Sequence, residues 1–270
     1  MFFRGKIMKI KNIKKLKSKY KIEFEDSEPI FISEDTLLKN NIIKKINIDE
    51  KKISDILLDE SKEQAFKSGL NYLSYGMRTE LEMIKYLRKK NISEDNISYS
   101  IKRLKDSGYI NDSNYSKTFI EEYFCFRKKG PNYIKMKLKN KGVFKEYVDD
   151  FIDEICTYEK QIKNIIEQIE KNYRNKEIPN NKKIQKIKHK LYLDGYSFDK
   201  INYAFNSIEN ELENLNCDKY IIEKYYNKAY NKFCNKYHDK RILKQKLVEK
   251  LLRDGFSYGE IQDYFLNIQV

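Results

Sequence analysis

Four stretches decide the fold: MIKYLRKKNISEDNISYSI at 83–101, IKMKLKNKGVFKEYVDDFI at 134–152, IKHKLYLDGYSFDKINYAF at 187–205 and LVEKLLRDGFSYGEIQDYF at 247–265. Superimposed on Leu87, Leu138, Leu191 and Leu251, they place Met83, Ile134, Ile187 and Leu247 four residues earlier. Four residues later stand Asn91, Gly142, Gly195 and Gly255, followed by Ile92, Val143, Tyr196 and Phe256. Ile97, Val148, Ile201 and Ile261 come at ten, and Ile101, Ile152, Phe205 and Phe265 at fourteen. Apolar residues four apart share one helix face. Gly or Asn just past a helix tolerates the left-handed backbone that ends it. The next apolar residue plugs the corner. Ser93, Ser197 and Ser257 are placed to cap a second helix, with Glu260 completing a Ser-x-x-Glu box, while Phe144 breaks the pattern in the second copy.

Ahead of each pair lies a further apolar helix, around Ala65 to Leu73, Tyr115 to Phe126, Ile162 to Ile169 and Tyr220 to Phe233. The predicted fold is therefore all-α: four tandem three-helix repeats at 61–111, 112–156, 157–210 and 211–270. Such repeats bury their faces against neighbours and form an elongated, curved array. The anchor spacings of 51, 53 and 60 residues are expected to vary through lengthening of the first helix. Residues 1–60 read differently. Ile22 and Phe24 alternate with charged residues, which predicts a small β-meander over 9–33 turning at Asp26 to Glu28, then one or two short helices.

Composition agrees with a helical array. The 270 residues are 36% charged and contain nine Gly and three Pro, too few turn residues for a sandwich or a doubly wound fold. Cys125, Cys156, Cys217 and Cys234 stand far apart without a CxxC pair, and read as small buried hydrophobes. No stretch has the length of a signal peptide or membrane span, so a cytoplasmic protein is expected. MKIKNIKKLK from Met8 reads as a natural start, which leaves Met1 and Met8 both open as the first residue.

Catalytic signatures are missing from the sequence. His189 and His238 lie near no nucleophile or metal pattern and read as exposed helical residues; there is no phosphate-cradling glycine motif. Neighbouring acids such as Glu121-Glu122 and Asp149-Asp150 diverge by about 100° on a helix and read as solvated. Neither an enzyme nor a cofactor or metal is expected. Most tyrosines, among them Tyr72, Tyr196, Tyr225 and Tyr230, sit at apolar-face positions and read as core.

Charge is more informative. Lys and Arg total 55 against 41 Asp and Glu, a net +14. Tyr123 to Lys145 holds eight Lys and Arg and no acid, and Pro179 to Leu193 holds five Lys and no acid. Lys240, Arg241, Lys244 and Lys246 open the last middle helix. Because the same helix of successive repeats is basic, stacking would set out a cationic stripe suited to phosphates or an acidic groove. The stripe is expected to comprise Lys128, Lys129, Lys135, Lys139, Lys186, Lys190 and Lys244. Separate solvated faces are the alternative. Residues 1–21, with nine Lys and Arg and no acid, read as a solvated face or a contact arm.

The chain also resembles the RecX family. The matching elements are Leu73-Ser74-Tyr75 with Arg78-Thr79-Glu80-Leu81, Leu104 with Gly108-Tyr109-Ile110-Asn111-Asp112, and Lys129-Gly130-Pro131 with Ile134, Leu138, Lys141 and Gly142. They cover 65–145 closely, and the remaining repeats fit the longer members from Gram-positive bacteria. Gly76-Met77 departs from a basic residue and Pro common there, and Asn111-Asp112 from an acidic pair. Locally, Thr79 with Glu82 forms a capping box, Gly108 ends a helix, Asp112 caps the next and Pro131 suits a first turn.

The resemblance implies a regulator that binds along the RecA filament on single-stranded DNA and lowers its extension, ATPase and strand exchange. It makes Arg78, Glu80, Gly108, Tyr109, Asp112, Gly130 and Pro131 the motif residues. A monomer is expected, with no membrane contact, and single-stranded DNA bound weakly or within the filament. Two other readings stay open: a direct DNA-binding protein with tandem helix-turn-helix-like units, and a helical scaffold.

Overall fold

The computed structural model describes residues 7–43, 47–174, 178–214 and 218–268. The chain divides into two compact units, one of residues up to Ser116 with Lys139–Phe144, the other of Lys117–Leu138 with Lys145 onward. Residues 1–6, including most of the possible leader, and Cys217 lie outside the described residues.

The first compact unit opens with a four-stranded antiparallel sheet of order β3-β2-β1-β4: β1 Ile7–Lys15, β2 Tyr20–Phe24, β3 Ile30–Ile32 and β4 Asn47–Asp49. The expected meander is present, with β4 added on its far edge. Alternation buries Ile10, Ile22, Phe24, Ile32 and Ile48 together with Ile42 and Ile56. Helix α1, Glu34–Lys39, is capped by Ser33. Instead of a second short helix, residues 50–60 begin a 24-residue helix, α2, Glu50–Leu73, so the boundary expected at 60/61 falls inside it. Ile56 closes the sheet's core, and Phe66 near the other end enters the core of the first repeat.

Glu60 ties α1 to α2. Its carboxylate is 3% exposed and accepts from Ser33 N and Thr36 Oγ1 at 2.7 Å each, and from Gln64 Nε2 at 2.8 Å. Burial by itself would raise the carboxyl's pKa, but these donors outweigh it and hold the group below its ordinary value. Since the folded group titrates below the unfolded one, its contribution is complete above the unfolded value near 4.5 and disappears as the pH falls through the folded value. Glu60→Gln is expected to lose about 1–3 kcal/mol at neutral pH. The gap from the parent should shrink in acid, as urea denaturation at both pH values will read; a constant gap would refute the assignment.

The repeats follow. Helices α3, Glu80–Lys89, and α4, Glu94–Asp106, pack with α2 around Phe66, Met83, Leu87, Ile97, Ile101, Leu104 and Ile110. Helix α5, Asp112–Glu121, runs into a π-helical turn, Glu122–Phe126, and is followed by α6, Pro131–Asn140, and α7, Lys145–Ile155. Next come α8 Tyr158–Arg174, α9 Asn180–Leu193 and α10 Phe198–Ser207 around Ile165, Ile187, Leu191, Tyr196 and Ile201. After α11, Glu209–Asn214, helices α12 Asp218–Phe233, α13 Lys240–Asp254 and α14 Tyr258–Asn267 enclose Leu247, Leu251, Phe256, Ile261 and Phe265.

The four-fold register holds. Every anchor leucine and every residue four before it is buried, as are the positions ten and fourteen after. Asn91, Gly142, Gly195 and Gly255 all have positive φ, at 58°, 77°, 95° and 102°. Of the corner residues only Ile92 is half-buried. Ser257 and Glu260 make both bonds of the capping box, whereas Ser93 and Ser197 occupy N-cap positions without a side-chain bond.

Several expectations are corrected. The first helices do not account for the spacings: the middle helices grow from 10 residues in α3 and α6 to 14 and 15 in α9 and α13, and α11 fills the widest gap. Of the described cysteines only Cys156 is buried, its thiol pushed up to about 12 mainly by loss of solvent. Cys125 is exposed on the π turn and Cys234 is half-buried. Tyr230 is exposed beside Tyr226, and His238 is in a loop before α13. Among the described residues no helix is long and apolar enough to cross a membrane.

Candidate partner and nucleic-acid interface

The positive-φ corner of one repeat docks on the start of the preceding repeat's middle helix. Between the second and third repeats, Gly130 N donates to the Asp194 carbonyl at 2.7 Å and Asn132 N to the Gly195 carbonyl at 3.1 Å. Two N–H groups at the start of α6 thus meet carbonyls just past the end of α9, which brings the positive end of one helix dipole to the negative end of the other. Between the first and second repeats, Thr79 Oγ1 donates to the Lys141 carbonyl at 2.8 Å, and Gly142 lies against Leu81. Between the third and fourth, Gly255 lies against Lys182.

An ion pair crosses each junction from the residue just before the glycine: Lys141 to Glu82 at 2.5 Å, Asp194 to Lys129 at 2.5 Å, and Asp254 to Lys182 at 3.7 Å. Burial opposes the charge of Lys141, yet its bonds to Glu82 and Tyr115 leave its pKa raised. The sequence holds one signal for these pairs. In the aligned repeats, the residue before the glycine has the opposite sign to a residue at the start of the previous middle helix.

This architecture divides the lysines of the expected stripe. Lys129 belongs to a junction, Lys128 pairs with Glu167 at 3.0 Å, and Lys135 pairs with Asp149 at 2.7 Å. Lys139, Lys186, Lys190 and Lys244 are exposed; Lys190 bonds Asn172 at 3.2 Å and Lys244 lies 5.2 Å over the Phe265 ring. Lys135 and Lys139 follow the buried Ile134 and Leu138, whereas Lys186 and Lys190 precede the buried Ile187 and Leu191. At about 100° per residue these are opposite flanks of the buried stripe. In the register of the repeats, the cations that recur are Lys137, Lys190 and Lys250, with Lys186 and Lys246 one turn earlier.

The motif residues have structural duties. Arg78 lies 4.8 Å over Tyr72, which stacks on Tyr86 at 4.1 Å and 7°. Glu80 pairs with Lys105 at 2.8 Å. Asp112 does not cap its own helix: Asn111 does so through Asn114 N, and Asp112 Oδ1 reaches back to accept from Glu80 N at the start of α3. Burial first, only partly offset by that bond, raises the Asp112 carboxyl above its ordinary value. Gly108 has φ 74° with open space around it, Tyr109 is exposed, and Pro131 opens α6.

A cation-covered aromatic ladder, which the sequence reasoning missed, joins α5, the π turn and α6. Tyr123 stacks on Phe119 at 4.1 Å and lies 6.1 Å from Tyr133. Arg127 sits 4.4 Å over Tyr123, while Lys129 and Lys137 sit 5.2 and 5.3 Å over Tyr133. The spacing of Tyr123 and Arg127 by four was visible, but the extra residue of the π turn was not. Among the described residues no cluster of His, Cys, Asp and Glu is suited to a metal. Cations held over stacked rings can meet phosphates, base faces or acidic side chains.

Residues 65–104 match the model of the first RecX three-helix domain, and 111–150 that of the second. The chain is 31% identical over 258 residues to regulatory protein RecX of Streptococcus agalactiae serotype V, covering 94% of this chain and 97% of the relative. It is 30% identical over 268 residues to that of Bacillus cytotoxicus, covering 96% of each. A crystal structure of regulatory protein RecX superimposes with TM-score 0.62 at 26% identity over 75% of this chain and 99% of that one. RecX from Lactobacillus salivarius does so with TM-score 0.51 at 31% identity over 56% and 98%.

Proposed function

The chain belongs to the RecX family of regulatory proteins, and from that premise we propose that it binds the RecA filament on single-stranded DNA and inhibits its extension, ATPase and strand exchange. It does so as a cytoplasmic monomer, without catalysis or a cofactor. The observation that carries this reading is the recurrence of cations on the middle helices of successive repeats, beside junctions that fix those helices end to end. Cations held on a stiff element meet phosphate or acidic side chains with little further ordering, and their attraction depends on salt. A binder that prefers the inactive state of the filament shifts its population by the difference in affinity.

The test is the cognate recombinase's DNA-dependent ATPase with and without this protein. Suppression is expected; an unchanged rate at saturating protein would refute the proposal. Charge reversal of Lys137, Lys139, Lys186 and Lys190 to Glu spares Lys135, which holds Asp149. The concentration for half-suppression should rise about 10-fold or more, with the salt slope falling by about 0.7 for each lost single-strand phosphate contact. A folded quadruple variant that suppresses as well as the parent would show the cationic face to be only solvated.

A further inference from the structure

Two uncommon backbone features meet at the end of the first helix of the second repeat. Glu122–Phe126 forms a π-helical turn, and two residues later Lys128, which is not glycine, has φ 52°. Turns of the first kind arise mostly as single inserted residues near functional sites, and left-handed non-glycine residues carry a conformational cost that the surroundings must impose. The surroundings do impose it: the Lys128 carbonyl accepts from Gln168 Nε2 at 2.9 Å and from Tyr196 Oη at 3.1 Å.

What this arrangement achieves is exposure. Phe124 is buried, but Phe126 is 83% exposed, so the turn projects a bare aromatic ring outward without a packing return. Next to it, Arg127 is held over Tyr123 and tied to Glu122 Oε1 through Nε at 3.1 Å and Nη2 at 2.5 Å. One face of its guanidinium is thereby backed by a ring. Glu122 is the last acid before a run without any through Lys145. Lys137, over Tyr133 on α6, adds a cation on the same ladder.

We propose that Phe126 and Arg127 form a stacking platform for bases of a single-stranded nucleic acid, with Lys137 contacting its phosphates. An exposed ring beside a positioned guanidinium suits base faces regardless of sequence, and the acid-free run behind it suits the phosphates. A duplex keeps its bases stacked on each other and gives this platform nothing to hold. The inference rests on the reading of the chain as a binder of DNA-coated filaments, but its test does not use the recombinase.

The full chain and its variants are titrated into a fluorescent oligothymidylate, into an abasic strand of equal length, and into a duplex. Phe126→Ala removes an exposed side chain and should leave the thermal transition unchanged; Phe31→Ala on the exposed face of β3 is the control. Phe126→Ala should weaken oligothymidylate binding about 5- to 150-fold, the range for one lost base–aromatic stack, with the salt slope unchanged. Lys137→Gln should reduce that slope by about 0.7. The abasic strand should bind the parent and Phe126→Ala alike. Equal affinity of parent and Phe126→Ala for oligothymidylate, or no binding by the parent, overturns the proposal.

Discussion

Leu191→Ala and Leu138→Ala are each expected to lower unfolding free energy by about 2–5 kcal/mol, the range for a large-to-small change in a core that cannot collapse around the void. Both leucines are essentially inaccessible to solvent. Leu191 packs in a cluster with Ile165, Ile187, Tyr196 and Phe205 that closes the third repeat. Leu193, two residues on, is exposed, and Leu193→Ala should stay within about 0.5 kcal/mol of the parent. Urea denaturation of the three variants decides the matter. If Leu191→Ala behaves like Leu193→Ala, the helix is rotated and the four-fold register fails.

That register was legible because it is written in single residues at fixed separations within one helix-turn-helix. A spacing of four and a glycine four past the anchor need no knowledge of what lies elsewhere in the chain. Contacts between elements are not written that way. Lys129 meets Asp194 across 65 positions and Lys141 meets Glu82 across 59. The lysines expected to form one cationic stripe therefore include Lys128, Lys129 and Lys135, each of which is paired with an acid on another element. Asp112 shows the same limit. Its place at a helix start suggested a local cap, yet its carboxylate serves α3 from 32 positions away.

Length was the other illegible quantity. The sheet's fourth strand has only three residues, too few to show alternation, and α2 hides its start because its first turns face the sheet while its last face the first repeat. The π turn escaped notice for a related reason. One extra residue shifts the apolar period by about 100°, and Tyr115 to Phe126 read as an ordinary helix. What the shift exposes is Phe126.

Gly195→Ala should be among the most damaging single substitutions outside the buried side chains, at about 2–5 kcal/mol, and its damage should be local to one junction. Two costs combine. At φ 95° an L-residue is strained by about 1–2 kcal/mol, and the added Cβ would overlap the backbone nitrogen of Tyr133, which gives way less readily than a flexible side chain. Overpacking of that kind adds about 1–3 kcal/mol. Gly108→Ala separates the two costs, because at φ 74° its Cβ would meet nothing within 4 Å; only the backbone strain should remain. Relief of the overlap in Gly195→Ala requires α9 to withdraw from α6, which would part the Gly130–Asp194 and Asn132–Gly195 hydrogen bonds and loosen the Lys129–Asp194 pair. In a tandem repeat, stability is the sum of what each repeat contributes and what each junction contributes, so a lost junction lets neighbours unfold separately. Denaturation of Gly195→Ala should broaden or split, with a smaller m-value, while Gly108→Ala keeps the parent's slope. Equal losses and equal slopes in the two variants would mean that the close approach of the second and third repeats contributes nothing to holding them together.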